Sequence, residues 1–310
     1  MRVFITRVVI SVVVFLGIAV TSSFAGVEDF NTQNAIVNLN AFYSGGPQKD
    51  GIPALTNPEF VSADQAGFLS DNNFVIGIEV DRVAKAYPLK ILNWHEVVND
   101  VISQKEVVVS WCPLTHSGLV FDRKVGEDVL TFGVSGMLFN SNVVMYDRNS
   151  QGLWTQLGNK SLTGKYASKK LNLIPSKVTM WKNWKKAYPN TLVLSSKTGY
   201  FRNYKRDPYQ EYHLQEKPMF PLEYIDTRFP LKSFVLGVQV DGEVKAYSLT
   251  QLKEMKKPLK DSISGKSITI RFDENQMLQV IDKDGNEISS VVAYWFAWRA
   301  FYPKTLVYSK

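Results

Sequence analysis

The 310-residue chain contains one cysteine, Cys112, and three histidines. A single cysteine excludes an internal disulfide framework, and so small a stock of thiols and imidazoles strains any four-ligand zinc site. Long apolar runs are also scarce. The run Val8–Val20 falls short of the roughly 20 residues needed to cross a bilayer, and no later segment competes with it. The formal net charge is +7, but two of the positive residues are Arg2 and Arg7 at the very start, and the rest, mostly isolated lysines, are scattered rather than gathered in one stripe. That distribution argues against a nucleic-acid partner. The local group Lys182, Lys185 and Lys186 alternates with Trp181 and Trp184, as on the wet face of an amphipathic helix.

The leading segment has a definite reading. Arg2 and Arg7 precede the apolar run, and Ser23-Phe24-Ala25 supplies small residues at the two positions a signal peptidase reads. Residues 1–25 are therefore expected to be a cleavable signal peptide, with cleavage before Gly26. The mature protein is expected to be exported, periplasmic or extracellular, with no membrane span after cleavage. In such a compartment an unpaired thiol is either sheltered by burial or kept for its chemistry.

One unit is written twice. Phe74-Val-Ile-Gly-Ile-Glu-Val-Asp with Lys85-Ala-Tyr87 recurs as Phe234-Val-Leu-Gly-Val-Gln-Val-Asp with Lys245-Ala-Tyr247. Further on, Trp184, Tyr188-Pro189 and Thr191-Leu-Val recur as Trp298, Tyr302-Pro303 and Thr305-Leu-Val. The spacing between copies is shorter for the second pair, so the first unit carries an insert at about 124–175. Alternating Val75, Ile76, Ile78 and Val80 favour strands, while Ile91, Leu92, His95 and Val98 recur at helical spacing. Together these predict an α+β fold of two degenerate strand-strand-helix-strand-strand-helix-strand repeats, largely antiparallel and sharing one core. The predicted order is an extended arm (26–70), a first repeat (71–199), a Tyr- and Pro-containing connector (200–232) and a shorter second repeat (233–310).

Reactive groups are not repeated with the scaffold: Met255 stands opposite His95, and Asp273 opposite Cys112. Cys112 follows the run Val107-Val-Val-Ser-Trp111, which places the thiol at a strand end. A thiol needs a neighbouring base to become a nucleophile, and His95 just upstream, with Glu96, Asn140 or Asp147 to orient it, is the expected partner. The first expectation is thus a single-thiol enzyme with Cys112, His95 and Glu96 as its catalytic set. A second is a non-catalytic module for a small molecule or peptide, using Trp154, Gln156, Asn140, Tyr146 and Tyr200. A third is a copper or other metal site from Cys112, His116 and His95. No cofactor is identifiable from the residues.

The motifs Gly45-Gly-Pro-Gln-Lys-Asp-Gly-Ile-Pro53, Lys85-Ala-Tyr-Pro88, Asn93-Trp-His-Glu96, Cys112-Pro-Leu-Thr115, Phe132-Gly-Val-Ser-Gly136, Asn140-Ser141, Met145-Tyr-Asp147, Leu153-Trp-Thr-Gln156 and Thr198-Gly-Tyr200 resemble, in order, those of the domain of unknown function 3179 family. The resemblance runs from about Gly45 to the C-terminus and brings no activity with it. It implies that His95, Glu96, Cys112, Ser135, Asn140, Asp147, Trp154 and Gln156 fall on the family's characteristic positions, and Ser135, Asn140, Asp147, Trp154 and Gln156 are the expected substrate-binding set. Many look-alikes carry Cys-Pro-Leu-Cys-Gly, where this chain has Thr115 and His116, so a dithiol cycle within the motif is not open to it.

Overall fold

A computed structural model of the protein describes residues 25–222 and 224–309. The signal-peptide expectation therefore falls almost wholly outside the described residues. No helix among the described residues is long and apolar enough to cross a membrane.

The expected α+β class is wrong. About 40% of the chain is strand and 13% helix, arranged as a five-bladed β-propeller. The blades are three five-stranded sheets, one of four strands and one of three, with a two-stranded ribbon at Lys124–Val125 and Asp128–Val129. The expected helix through His95 and Val98 shrinks to one turn, Leu89–Leu92. Beyond it Glu96 takes a left-handed conformation (φ 55°), and Val97–Ile102 leaves as a strand. The β-branched run Val97-Val98 and Val101-Ile102 outweighs the helical spacing, because strand neighbours are available on both sides.

The segments that match in sequence form sheets with the same strand order. In one, Lys177–Met180, Phe74–Val80, Val83–Pro88 and Leu192–Leu194 lie side by side. In the other, Ser290–Tyr294, Phe234–Val240, Glu243–Ser248 and Leu306–Val307 do so. Each central hairpin turns on two residues of positive φ, Asp81-Arg82 and Asp241-Gly242, which suits the right-handed twist of the strands. Each sheet is tied to the next by one acidic residue. Asp100 accepts hydrogen bonds from Lys85 Nζ (2.8 Å) and Tyr87 (2.6 Å), and Asp261 is held in the same way by Lys245 and Tyr247, both at 2.7 Å. A Lys-Ala-Tyr motif is thus a clamp between neighbouring blades.

The fifth blade has no counterpart in the other half. It comprises Phe42–Ser44, Phe132–Phe139, Asn142–Asp147, Leu153–Thr155 and Lys160–Ser161, and so is built mostly from the insert. The core is divided accordingly. Buried apolar side chains fall into separate clusters, one of which joins the fifth blade (Phe132, Met145, Trp154) to Val235, Trp295 and Trp298 of the second half. A single core shared by two repeats is not what the chain builds.

Two glycines are required for close packing. A Cβ on Gly77 would lie 2.3 Å from the Trp184 ring, and one on Gly237 would lie 2.2 Å from Trp298. Both indoles donate to a threonine, Trp184 to Thr191 (3.0 Å) and Trp298 to Thr305 (2.9 Å), so neither ring is free to retreat. Gly77→Ala should therefore destabilise the protein by about 1–3 kcal/mol in urea unfolding, whereas Gly67→Ala, with open space around it, should leave the midpoint nearly unchanged.

Candidate ligand-binding site

The strand Lys105–Cys112 pairs with Ser117–Asp122 in a register that sets Cys112 opposite Ser117, leaving Pro113–His116 as the loop. Cys112 is only 1% exposed, and its Sγ accepts a hydrogen bond from the Val143 amide at 3.4 Å. Burial pushes the thiol up to about 11, and the neighbouring Glu96 charge adds to the shift. At neutral pH the group is a thiol and not a thiolate, the state of an inert structural cysteine.

His95 is engaged elsewhere. Its Nδ1 lies 2.8 Å from the Pro53 carbonyl, which can only accept, so Nδ1 carries the proton. Nε2, 2.6 Å from Tyr204 Oη, accepts from that hydroxyl, which in turn lies 2.5 Å from Thr198 Oγ1. Burial lowers the imidazole pKa and keeps the ring neutral. Neither nitrogen is hydrogen-bonded to Cys112; the ring pins the Pro53 loop to the connector.

The five expected substrate-binding residues are all buried, and their polar groups serve the fold. Ser135 Oγ donates to the Val144 carbonyl (2.5 Å), and Asn140 with Ser141 makes the positive-φ turn of the hairpin Phe132–Asp147. Asp147 gathers the Ser150 amide and hydroxyl, the Gly152 amide and Trp154 Nε1. Gln156 accepts from Ser117 Oγ (2.9 Å) and Asn142 Nδ2 (2.7 Å) and donates to the Ser117 carbonyl (3.0 Å). Thr115 belongs to this network through Ser117 and Asn142, so the residue standing in for the family's second cysteine is a buried hydrogen-bonding group beside the thiol. The metal expectation fares no better in geometry. Among the described residues no three of His, Cys, Asp and Glu are placed to hold an ion, and Cys112, His116 and His95 are not brought together.

Glu96 is the residue the structure singles out. It is 6% exposed, follows His95 at the end of the short helix, and its Oε1 accepts from Tyr209 Oη at 3.0 Å. No other side-chain hydrogen bond reaches the carboxyl among the described residues, and no cation pairs with it. Burial lifts its pKa from 4.5 to about 7, partly offset by the tyrosine. Glu96 lines a cavity of about 100 Å³ together with Ile52, Leu138, Val143, Tyr209 and Phe220. Ile52 and Tyr209 also line an open cleft of about 440 Å³ in front of Trp94 and Phe201, so the two spaces adjoin. The sequence offered little sign of Tyr209, Tyr204 or Ile52. The only hints were the tyrosine-rich connector and the Gly45–Pro53 motif.

The fold and this site define a mostly β protein with a small, chiefly apolar cavity that Glu96 and Tyr209 line and that Met219 and Phe220 of the connector border. The chain belongs to the family described as Protein of unknown function (DUF3179), whose model matches residues 49–305. No curated protein and no solved structure matches it.

Glu96 has a measurable energetic signature. Its folded pKa is raised, so the unfolded chain ionises first as pH rises. Stability attributable to this group is therefore greatest below about pH 4.5, falls between 4.5 and 7, and stays low above that. The full span is about 3 kcal/mol. Glu96→Gln should be more stable than the parent at pH 8 by up to that amount, and the advantage should shrink towards pH 4.5 in urea titrations across the range.

Proposed function

We propose that the protein binds a small molecule with a short apolar body and one hydrogen-bond-donating or cationic head, which Glu96 receives. The observation that supports this reading is the buried Glu96 carboxyl, paired only with a tyrosine hydroxyl and facing an otherwise apolar cavity. An unpaired carboxyl in such surroundings lowers stability, and groups of this kind concentrate at functional sites. A ligand ammonium would restore the charged carboxylate and replace the hydration lost on burial. Tyr209 orients one oxygen and leaves the other for the ligand.

The reading departs from a Cys112 nucleophile with a His95 base. A neutral buried thiol and an imidazole already committed at both nitrogens support a binding role for this region better than covalent chemistry. Cys112 then serves as part of the packed wall behind Val143. The export signal belongs to the same proposal: a protein acting in the periplasm or outside the cell, recovered with Gly26 as its first residue, and an intact N-terminus on protein from that compartment would contradict it.

The binding test uses butylamine and butan-1-ol, which share an apolar body and differ in the head. At pH 8 and constant ionic strength, butylamine should bind at least ten-fold more tightly, as a charge-assisted hydrogen bond requires. The preference should vanish in Glu96→Gln. Equal binding of the two compounds, or a preference unchanged in the variant, would remove Glu96 from recognition.

A further inference from the structure

On the other side of Asn93 lies a second cleft, of about 330 Å³, whose chemistry is opposite to that of the Glu96 cavity. Three cationic side chains line it: Lys90 from the one-turn helix, and Lys205 and Arg206 from the connector. Among the described residues none of the three is in an ion pair. Lys90 Nζ donates to the Phe68 carbonyl at 3.0 Å, a neutral partner that fixes the ammonium and leaves its charge uncompensated. Burial and then the nearby Lys205 charge lower its pKa, as expected where like charges meet without a counter-ion.

Asp207 is the one carboxylate on the wall, and it is already occupied. Its Oδ1 takes the Asn93 amide (3.0 Å) and the Tyr209 backbone amide (2.9 Å), and its Oδ2 lies 4.0 Å from His213 Nε2. The rest of the wall mixes Asn72, Asn73, Leu89 and Asn93 with aromatic rings. Trp111 and His116 meet edge to face with ring centroids 4.9 Å apart, and Phe74 and Tyr204 line the same space. His116 Nδ1 is buried without a hydrogen-bond partner. Burial holds the His116 ring at about 4, so it is neutral at physiological pH and contributes a polar atom, not a fourth charge.

We infer that this cleft is an oxyanion site, taking a phosphate or carboxylate carried on a planar or aromatic body. Lys90, Lys205 and Arg206 receive the anion, and the Trp111, Phe74 and Tyr204 rings contact the body. The inference does not rest on the Glu96 reading, since the two sites share no charged residue. Because Lys205 and Arg206 sit on the same connector that roofs the Glu96 cavity, an anion bound here would also hold that roof in place.

The probes are phenyl phosphate, benzoate and benzyl alcohol, titrated calorimetrically into the full chain at pH 7.5 and constant ionic strength. At least one anion should bind with millimolar or better affinity, inorganic phosphate should compete with it, and benzyl alcohol should bind at least ten-fold more weakly. Which of phenyl phosphate and benzoate binds tighter assigns the head group. The double variant Lys90→Met, Lys205→Gln should lose at least ten-fold in anion affinity while keeping its melting temperature and its preference for butylamine. Absence of anion binding, equal binding of the alcohol, or full affinity in the folded double variant would each overturn the inference.

Discussion

The attachment of the connector across Asn93–Glu96 is the constraint on which the rest of the site depends. Four consecutive residues are used for it. Asn93 donates to Asp207, Trp94 Nε1 donates to the Arg206 carbonyl (3.2 Å), His95 accepts from Tyr204, and Glu96 accepts from Tyr209. Further along, Tyr212 Oη donates to the Leu114 carbonyl (2.7 Å), fixing the strap to the loop after Cys112. Apart from the exposed Trp94 contact, these hydrogen bonds are partly buried, so leaving them unmade would leave polar groups desolvated and unpaired. The strap therefore stays closed over the blades and converts open surface into two lined spaces. One is chiefly apolar with a carboxyl; the other carries three cations among aromatic and amide side chains.

Blade architecture explains why the site sits on one half only. The two matched sheets are each clamped to a neighbour, one by Asp100 and the other by Asp261, but their strand numbers differ. The fifth blade has no counterpart. Its strands carry Val134, Leu138 and Val143 to the cavity wall, and the Asn142, Gln156, Ser117 and Thr115 network locks it against the strand that bears Cys112. The polar residues of the insert thus have partners within the fold, Asn142 and Gln156 across to Thr115 and Ser117, and Asp147 inside its own blade.

The Phe74–Val80 and Phe234–Val240 strands were legible in sequence, because alternation acts locally. The fold class was not. Val97–Ile102 and Lys105–Cys112 read as parts of one mixed unit with Phe74–Val80, whereas they lie in a separate sheet, and nothing local distinguishes two small sheets from one large one. His95 and Cys112 are near each other in sequence, and both lack counterparts in the second half, which made a catalytic pair attractive. The competing contacts are long-range: Pro53 and Tyr204, about 40 and 110 positions away from His95, take both ring nitrogens. Asp147 and Gln156 pose a related ambiguity, since a buried polar group that serves the fold and one that binds a ligand carry the same side chain. Glu96 was included in the catalytic set, but only as an orienting partner; its own importance comes from burial, which a sequence does not display.

Everything proposed for the cavity turns on whether Glu96 is an unpaired buried carboxyl in the free protein. Carbon-13 NMR of the glutamate side-chain carboxyl, with Glu96→Gln to assign its signal, measures this directly. The account predicts a titration midpoint near 7 in the unliganded protein and a fall of that midpoint when butylamine is added. A midpoint near 4.5 that butylamine leaves in place would contradict it.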